Sequence, residues 1–94
     1  MTPNQSKIDY QSVRIYPNPT SNYYLNIQSD AFNSEEIVLQ LHNLNGKVVH
    51  SENVNNNQLK IGYRMELPNQ LNNGMYQLKI VDGGKLGIFK IILR

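Results

Sequence analysis

Apolar and polar residues alternate along most of this chain, and turn-forming residues interrupt the alternation roughly every eight to twelve positions. A period of two is typical of strands that bury one face, and turns at this spacing favour an all-β sandwich. No stretch carries apolar residues at i, i+3, i+4 and i+7 over a length that would predict a helix. The pattern predicts seven short antiparallel strands, at residues 13–16, 23–28, 37–43, 47–54, 59–67, 75–81 and 85–93.

Two of these assignments rest on simple local signals. Every second residue from Leu59 to Leu67 is apolar, which predicts one continuous strand there. Gly83 and Gly84 follow Asp82 and can supply the positive φ angles of a tight turn. The last two strands are therefore predicted to form a hairpin.

The turn at Asn45 and Gly46 decides which residues of the central hairpin face the core. A two-residue turn would set Leu41 opposite His50. A three-residue loop, with Gly46 left-handed, sets Leu41 opposite Val49 instead. Because a slip of one residue exchanges the two faces of a strand, the three-residue loop keeps the core apolar and is the interpretation we prefer.

The chain length of 94 residues predicts a single domain. Residues 1–12 are polar and show no periodicity, so they are predicted to be a linker or tail, and residues 13–94 the domain. The first residues lack the charged and apolar regions of a signal peptide. We therefore expect either that the protein is cytosolic or that these residues, from Met1 onward, are a piece of a longer chain.

Composition removes several function classes. Charged residues make up 17% of the chain, the formal net charge is +2, and no block of like charges is present. Electrostatic binding of nucleic acid is therefore not expected. The chain has no cysteine, which excludes disulfides and thiolate zinc sites. No apolar run reaches the length of about 18 residues that predicts a transmembrane helix.

Candidate chemistry is sparse. His42 and His50 are predicted on the outer face, and Glu52 has the same parity but is too far along the strand to complete a zinc site of three or four ligands. The chain has no Gly-x-Ser-x-Gly motif, and residues 83–85 lack the spacing and the Ser/Thr of a phosphate loop. The sequence predicts no enzyme, and no catalytic, cofactor or metal site.

Tyrosines offer a different function. Tyr23 and Tyr63 are in phase with apolar neighbours and are predicted in the core, whereas Tyr24 is predicted to point outward. With Tyr16 it could line a surface that binds sugar or peptide. A small carbohydrate- or protein-binding accessory module is therefore the alternative function, and a structural spacer between domains is a further one.

Four segments in order resemble one family. They are IYPNPT at 15–20 followed by LNI, LQLHNLNGKVV at 39–49, LNNGMYQLKI at 71–80, and KIILR at 90–94. Together they resemble the type A C-terminal sorting domain of the type IX (Por) secretion system, over residues 13–94.

The resemblance implies a seven-stranded Ig-like β-sandwich joined to the C-terminal side of a secreted cargo. Such a domain is non-catalytic and needs no cofactor. Its expected partners are translocon and shuttle proteins of the outer membrane and a sortase-like peptidase that removes it. The expected location is the periplasm in transit, and then the outer membrane, cell surface or medium. The domain itself is not expected to insert into the membrane. Because its terminal strands and asparagine-rich edges could exchange between copies, we expect a monomer or a strand-swapped dimer.

The resemblance also implies site residues. The candidates for translocon recognition are Gly74, Tyr76, Lys90, Ile91, Ile92 and Leu93. Gly74 would admit a left-handed corner, Lys90 would present a charge beside an apolar strand, and that strand would dock by main-chain pairing. The residues assigned to turns of the fold are Pro17, Asn18, Pro19, Asn45 and Gly46.

Overall fold

The computed structural model describes the backbone of residues 6–7 and all of residues 10–94, and it is an all-β sandwich. The strands are β1 (Ser6–Lys7), β2 (Arg14–Tyr16), β3 (Tyr24–Gln28), β4 (Ile37–His42), β5 (Val48–Val54), β6 (Tyr63–Glu66), β7 (Gly74–Asp82) and β8 (Lys85–Leu93). A 3-10 turn covers Tyr10–Ser12, and one helix, α1, covers Asn56–Ile61. Among the described residues no helix is both long and apolar enough to span a membrane.

Two sheets form the sandwich. The larger has the order β1-β8-β7-β4-β5 and the smaller β2-β3-β6. Seven strands pair antiparallel, which confirms the predicted Ig-like class, and the two-residue β1 pairs parallel with β8. The core between the sheets consists of alternate strand residues, among them Leu25, Ile27, Ile37, Leu39, Leu41, Met65, Leu78, Ile80 and Ile91. The alternation that predicted the strands is therefore the alternation that fills the core.

The predicted linker, residues 1–12, lies partly outside the described residues, which exclude 1–5 and 8–9. Within the described part, β1 pairs with Lys85 and Leu86 of β8. The assignment of residues 1–12 to a linker or tail remains a prediction.

The central hairpin has the predicted loop but not the predicted register. The Asn43 amide donates to the Lys47 carbonyl at 2.9 Å, and Gly46 has φ +85°, so the three-residue loop is confirmed. Leu41 nevertheless pairs with His50, because a β-bulge shifts the register between Leu41 and His42. The extra residue in β5 exchanges its two faces beyond the bulge. The prediction that His50 lies on the outer face is therefore wrong.

The prediction of one continuous strand over residues 59–67 is also wrong in its first half. Residues 59–61 belong to α1, and the strand β6 begins only at Tyr63. Asn55 caps the helix: its side chain accepts from the Gln58 amide at 2.8 Å, and the Gln58 side chain accepts from the Asn55 amide at 2.9 Å. This capping box satisfies two amides that a short helix would leave free. Gly62 ends the helix at φ +117°, and Ile61, predicted inward, is 84% exposed.

Candidate recognition site around strand β8

Strands β7 and β8 form a long hairpin in which Gly74 pairs with Leu93 and Asp82 with Lys85. Gly83 has φ +60°, and the predicted glycine turn is confirmed. At the turn Asp82 is buried, and its carboxylate accepts from the backbone amides of Ser34 at 2.9 Å and Asn33 at 3.2 Å. Burial alone would raise the pKa of Asp82, but these bonds, a Ser34 side-chain bond and the Lys85 charge hold it below its ordinary value.

The six recognition candidates divide between two faces of the hairpin. Ile91 is 0% exposed and Leu93 is 2% exposed, because both point into the core, and Tyr76 is buried there too. Lys90 is exposed and Ile92 half-buried on the opposite, outward face. The resemblance grouped all six as one signal, whereas in the folded domain a partner can reach only the outward members and Gly74.

Gly74 and Tyr76 shape the start of the hairpin. Gly74 has φ +149°, a backbone conformation that favours glycine, and no atom would crowd an added Cβ. The Tyr76 hydroxyl donates to the Asn72 carbonyl at 2.6 Å, which ties the preceding loop to β7. Both residues therefore have a clear structural role.

Asn18 takes the place of a neighbouring strand at the outer edge of β8. Its side-chain amide donates to the Lys90 carbonyl at 2.8 Å, and its carbonyl oxygen accepts from the Ile92 amide at 3.1 Å. Asn18 lies between two cis prolyl bonds, Tyr16-Pro17 and Asn18-Pro19. The sequence assigned this corner to the fold alone, but the structure brings it onto the candidate site.

Thr20 continues the same edge with its backbone and is fully buried. Its amide donates to the Ile92 carbonyl at 2.9 Å, and its carbonyl accepts from the Arg94 amide at 3.0 Å. The hydroxyl donates to the Tyr24 carbonyl at 2.9 Å, so Thr20 links β8 to the smaller sheet. Sequence reasoning missed Thr20, whose only signal is a hydroxyl residue at a bend.

Tyr10 closes the middle of the edge. Its hydroxyl accepts from the Ile88 amide at 3.2 Å, and its ring meets that of Phe89 edge-on at 4.8 Å between centroids. With the pairing of β1 to Lys85 and Leu86, main-chain groups along most of the β8 edge have partners within the chain.

The two histidines lie in different surroundings, and His50 contacts a carboxylate. His50 Nε2 lies 2.6 Å from a Glu52 carboxylate oxygen, and the Tyr63 hydroxyl donates to the same carboxylate from the opposite sheet. The hydrogen bond to Glu52, with burial and the charges of Glu52 and Glu66, raises the pKa of Tyr63 to about 12. Among the described residues no three His, Cys, Asp or Glu side chains are grouped to hold a metal. His50 and Glu52 instead bridge the two sheets through Tyr63.

The tyrosines proposed for ligand binding lie on the outer face of the smaller sheet. Tyr16 is exposed, and the Arg14 guanidinium lies 5.8 Å from its ring centroid. The Arg64 guanidinium covers the Tyr24 ring at 3.8 Å, held in turn by Glu66 at 2.8 Å. A sugar would have to displace Arg64 to stack on that face of Tyr24.

The two sheets and the terminal hairpin define a small Ig-like β-sandwich. Comparison with protein-family models matches residues 14–94 to the secretion system C-terminal sorting domain. The chain belongs to this family, which supports a role as a C-terminal secretion signal in type IX secretion. A comparison with curated proteins finds no matching relative. Family membership implies interaction with the secretion machinery and export to the outer membrane, cell surface or extracellular space.

Proposed function

We propose that this domain directs a cargo, joined on its N-terminal side, from the periplasm through the outer-membrane translocon of type IX secretion. A sortase-like peptidase then removes the domain. The observation that carries the proposal is the family match, which includes the whole of β8 and the corner that closes it. The domain contributes a folded recognition surface and no chemistry of its own.

The fold supports this role because it presents part of the signal and buries the rest. Lys90 and Ile92 stand outward on β8, while Ile91 and Leu93 fix the strand to the core. A partner would thus meet a preformed surface, which lowers the conformational entropy lost on binding.

The test is the location of a fluorescent cargo fused to residues 1–94 and carrying an export signal. We expect delivery to the surface or medium in a wild-type host, and retention in a host without the translocon. Equal retention in both hosts would contradict the sorting role. In a host that lacks the peptidase, the exported fusion should keep its full length, whereas cleavage there would contradict the peptidase step.

Deletion of residues 90–94 is a poor variant for this test, because it removes Ile91 and Leu93 from the core as well as the outward side chains. The double substitution of Lys90→Glu with Ile92→Ser changes only the outward face. We expect this variant to remain folded and its cargo to stay in the periplasm.

A further inference from the structure

Most of the outer edge of β8 is already paired within the folded domain. The Asn18 side chain forms hydrogen bonds with the Lys90 carbonyl and the Ile92 amide. The Thr20 backbone forms them with the Ile92 carbonyl and the Arg94 amide. Tyr10 accepts from Ile88 further along. A partner that paired with this edge would first have to break these bonds, so the face of the hairpin is the more accessible surface.

That face can be constructed from the register. Met75 lies opposite Ile92, Gln77 opposite Lys90, and Lys79 opposite Ile88. All six point away from the core, and we call them the outer hairpin face. Met75 is 42% exposed and Ile88 is 41% exposed, so two large apolar side chains flank the charge of Lys90.

The charged side chains of the outer hairpin face are all positive. Lys79 and Lys90 lie on it, and the outward positions of the described strands β4, β7 and β8 hold no carboxylate. Glu36 lies just before β4, where it accepts from the Asn53 side chain of the edge strand β5 at 3.0 Å. A cationic surface with exposed apolar side chains is complementary to an acidic surface that also offers apolar contacts.

We propose that the outer hairpin face is where the domain docks on its partner, face-on, and that the partner presents an acidic protein surface with apolar residues. This inference rests on the proposed sorting function and assigns it a surface. It adds Met75, Gln77, Lys79 and Ile88 to the recognition site. Ile91 and Leu93 support the face from beneath without contacting the partner.

The experiment uses the cargo fused to residues 1–94 and two matched double variants. Lys79→Glu with Ile88→Ser changes a cross-strand pair of the outer hairpin face. Lys60→Glu with Ile61→Ser makes the same changes on α1, which contacts β3 and β6 of the smaller sheet. Each replaces one positive charge by a negative one and removes one exposed isoleucine, so both shift the net charge equally.

We expect the face variant to lower export by about tenfold or more, as loss of a central contact does, and the α1 variant to export as the wild type does. Export of the face variant at the wild-type level would overturn the proposed surface, while translocon-dependent export of the wild type would still support the sorting function. An equal loss in both variants would also overturn it, because the effect would then follow charge rather than place.

Three further measurements address stability and other occupants of the face. Thermal unfolding of the isolated domain should show both variants folded, and the single variant Lys79→Glu should still reduce export if the double variant unfolds. The wild-type domain should not sediment with vesicles of anionic phospholipid, and it should elute from a size-exclusion column as a monomer. The result to look for is vesicle binding or dimerisation that the wild type shows and the face variant has lost. Such a loss would assign the face to a membrane or to a second copy, and would overturn the acidic protein partner.

Discussion

The two faces of β8 differ in what they contact, although they alternate residue by residue. Ile91 and Leu93 lie in the core with Tyr76 and Leu78, whereas Lys90 and Ile92 face away from it. Four consecutive residues, 90–93, therefore contribute both to the stability of the hairpin and to the surface that a partner can reach. The difference teaches that loss of export on truncation cannot by itself separate misfolding from lost recognition, and single substitutions on each face can.

The largest effect is expected on the inward face. Ile91→Ala removes a fully buried side chain from the strand, and we expect the free energy of unfolding to fall by about 2–5 kcal/mol. Urea unfolding of the isolated domain measures it. A loss below about 1 kcal/mol would mean that the core collapses around the site, and would contradict the rigid inward face.

The second largest loss of stability is expected at Asp82, a buried carboxylate on the inward face of β7. Asp82→Asn replaces an acceptor of two backbone amides by a group that can accept only one of them, and should cost about 1–3 kcal/mol.

The pKa of Asp82 is lowered on folding, so the stability it contributes is present above its ordinary value of 3.8 and is lost as the pH falls through and below that value. Melting temperatures measured from neutral pH to below 3.8 should decline more steeply for the wild type than for the asparagine variant. Parallel declines would contradict this role.

Thr20→Val tests the link between β8 and the smaller sheet. Valine keeps the shape and both backbone bonds to β8 but loses the hydroxyl bond to the Tyr24 carbonyl in a fully buried place. We expect the free energy of unfolding, measured in urea, to fall by about 1–2 kcal/mol. Thr20→Ser keeps the hydroxyl and is the matched control, because it should retain the bond and lose only a methyl contact.

Asn18→Ala opens part of the β8 edge. The side chain is exposed, so water can replace its two bonds, and we expect a loss of only about 1 kcal/mol. Export should stay at the wild-type level because the partner docks on the face. Increased export from the alanine variant would instead indicate that a partner pairs with the edge.

Lys90→Glu should have the smallest effect on stability, within about 0.5 kcal/mol, because the side chain is exposed and forms no ion pair among the described residues. Its effect on export should nevertheless be large, and Lys90→Arg, which keeps the charge, should export. The measurement is cargo delivery beside thermal unfolding of the same variants. Normal export of Lys90→Glu would contradict recognition by the outward face.

Sequence reasoning succeeded where local signals and packing agree. The β7–β8 hairpin was predicted because its alternation is long and a glycine pair marks its turn. It failed between Leu59 and Leu67, where the same alternation crosses a helix and a strand. The capping pair Asn55 and Gln58 was visible in the sequence, but a helix of six residues is too short for a periodic pattern to identify.

The candidate site was predicted only in outline. The resemblance marked Lys90 to Leu93, and a period of two could have divided these residues between two faces. The contacts of Asn18 and Thr20 with β8 could not be foreseen, because they connect residues far apart in the chain through a bend that has no period. The bulge that turns His50 inward is likewise a tertiary feature, and the loop alone does not reveal it.

The two bonds of Asn18 join residues that are 72 and 74 positions apart. During synthesis the proline corner emerges long before β8, so the corner must wait for its partner until residues 90–94 have been made. A chain interrupted before that point lacks both the strand and the bonds that close its edge. The corner thus delays closure of the β8 edge until translation has passed Ile92, so the first bend of the domain is completed by its last strand.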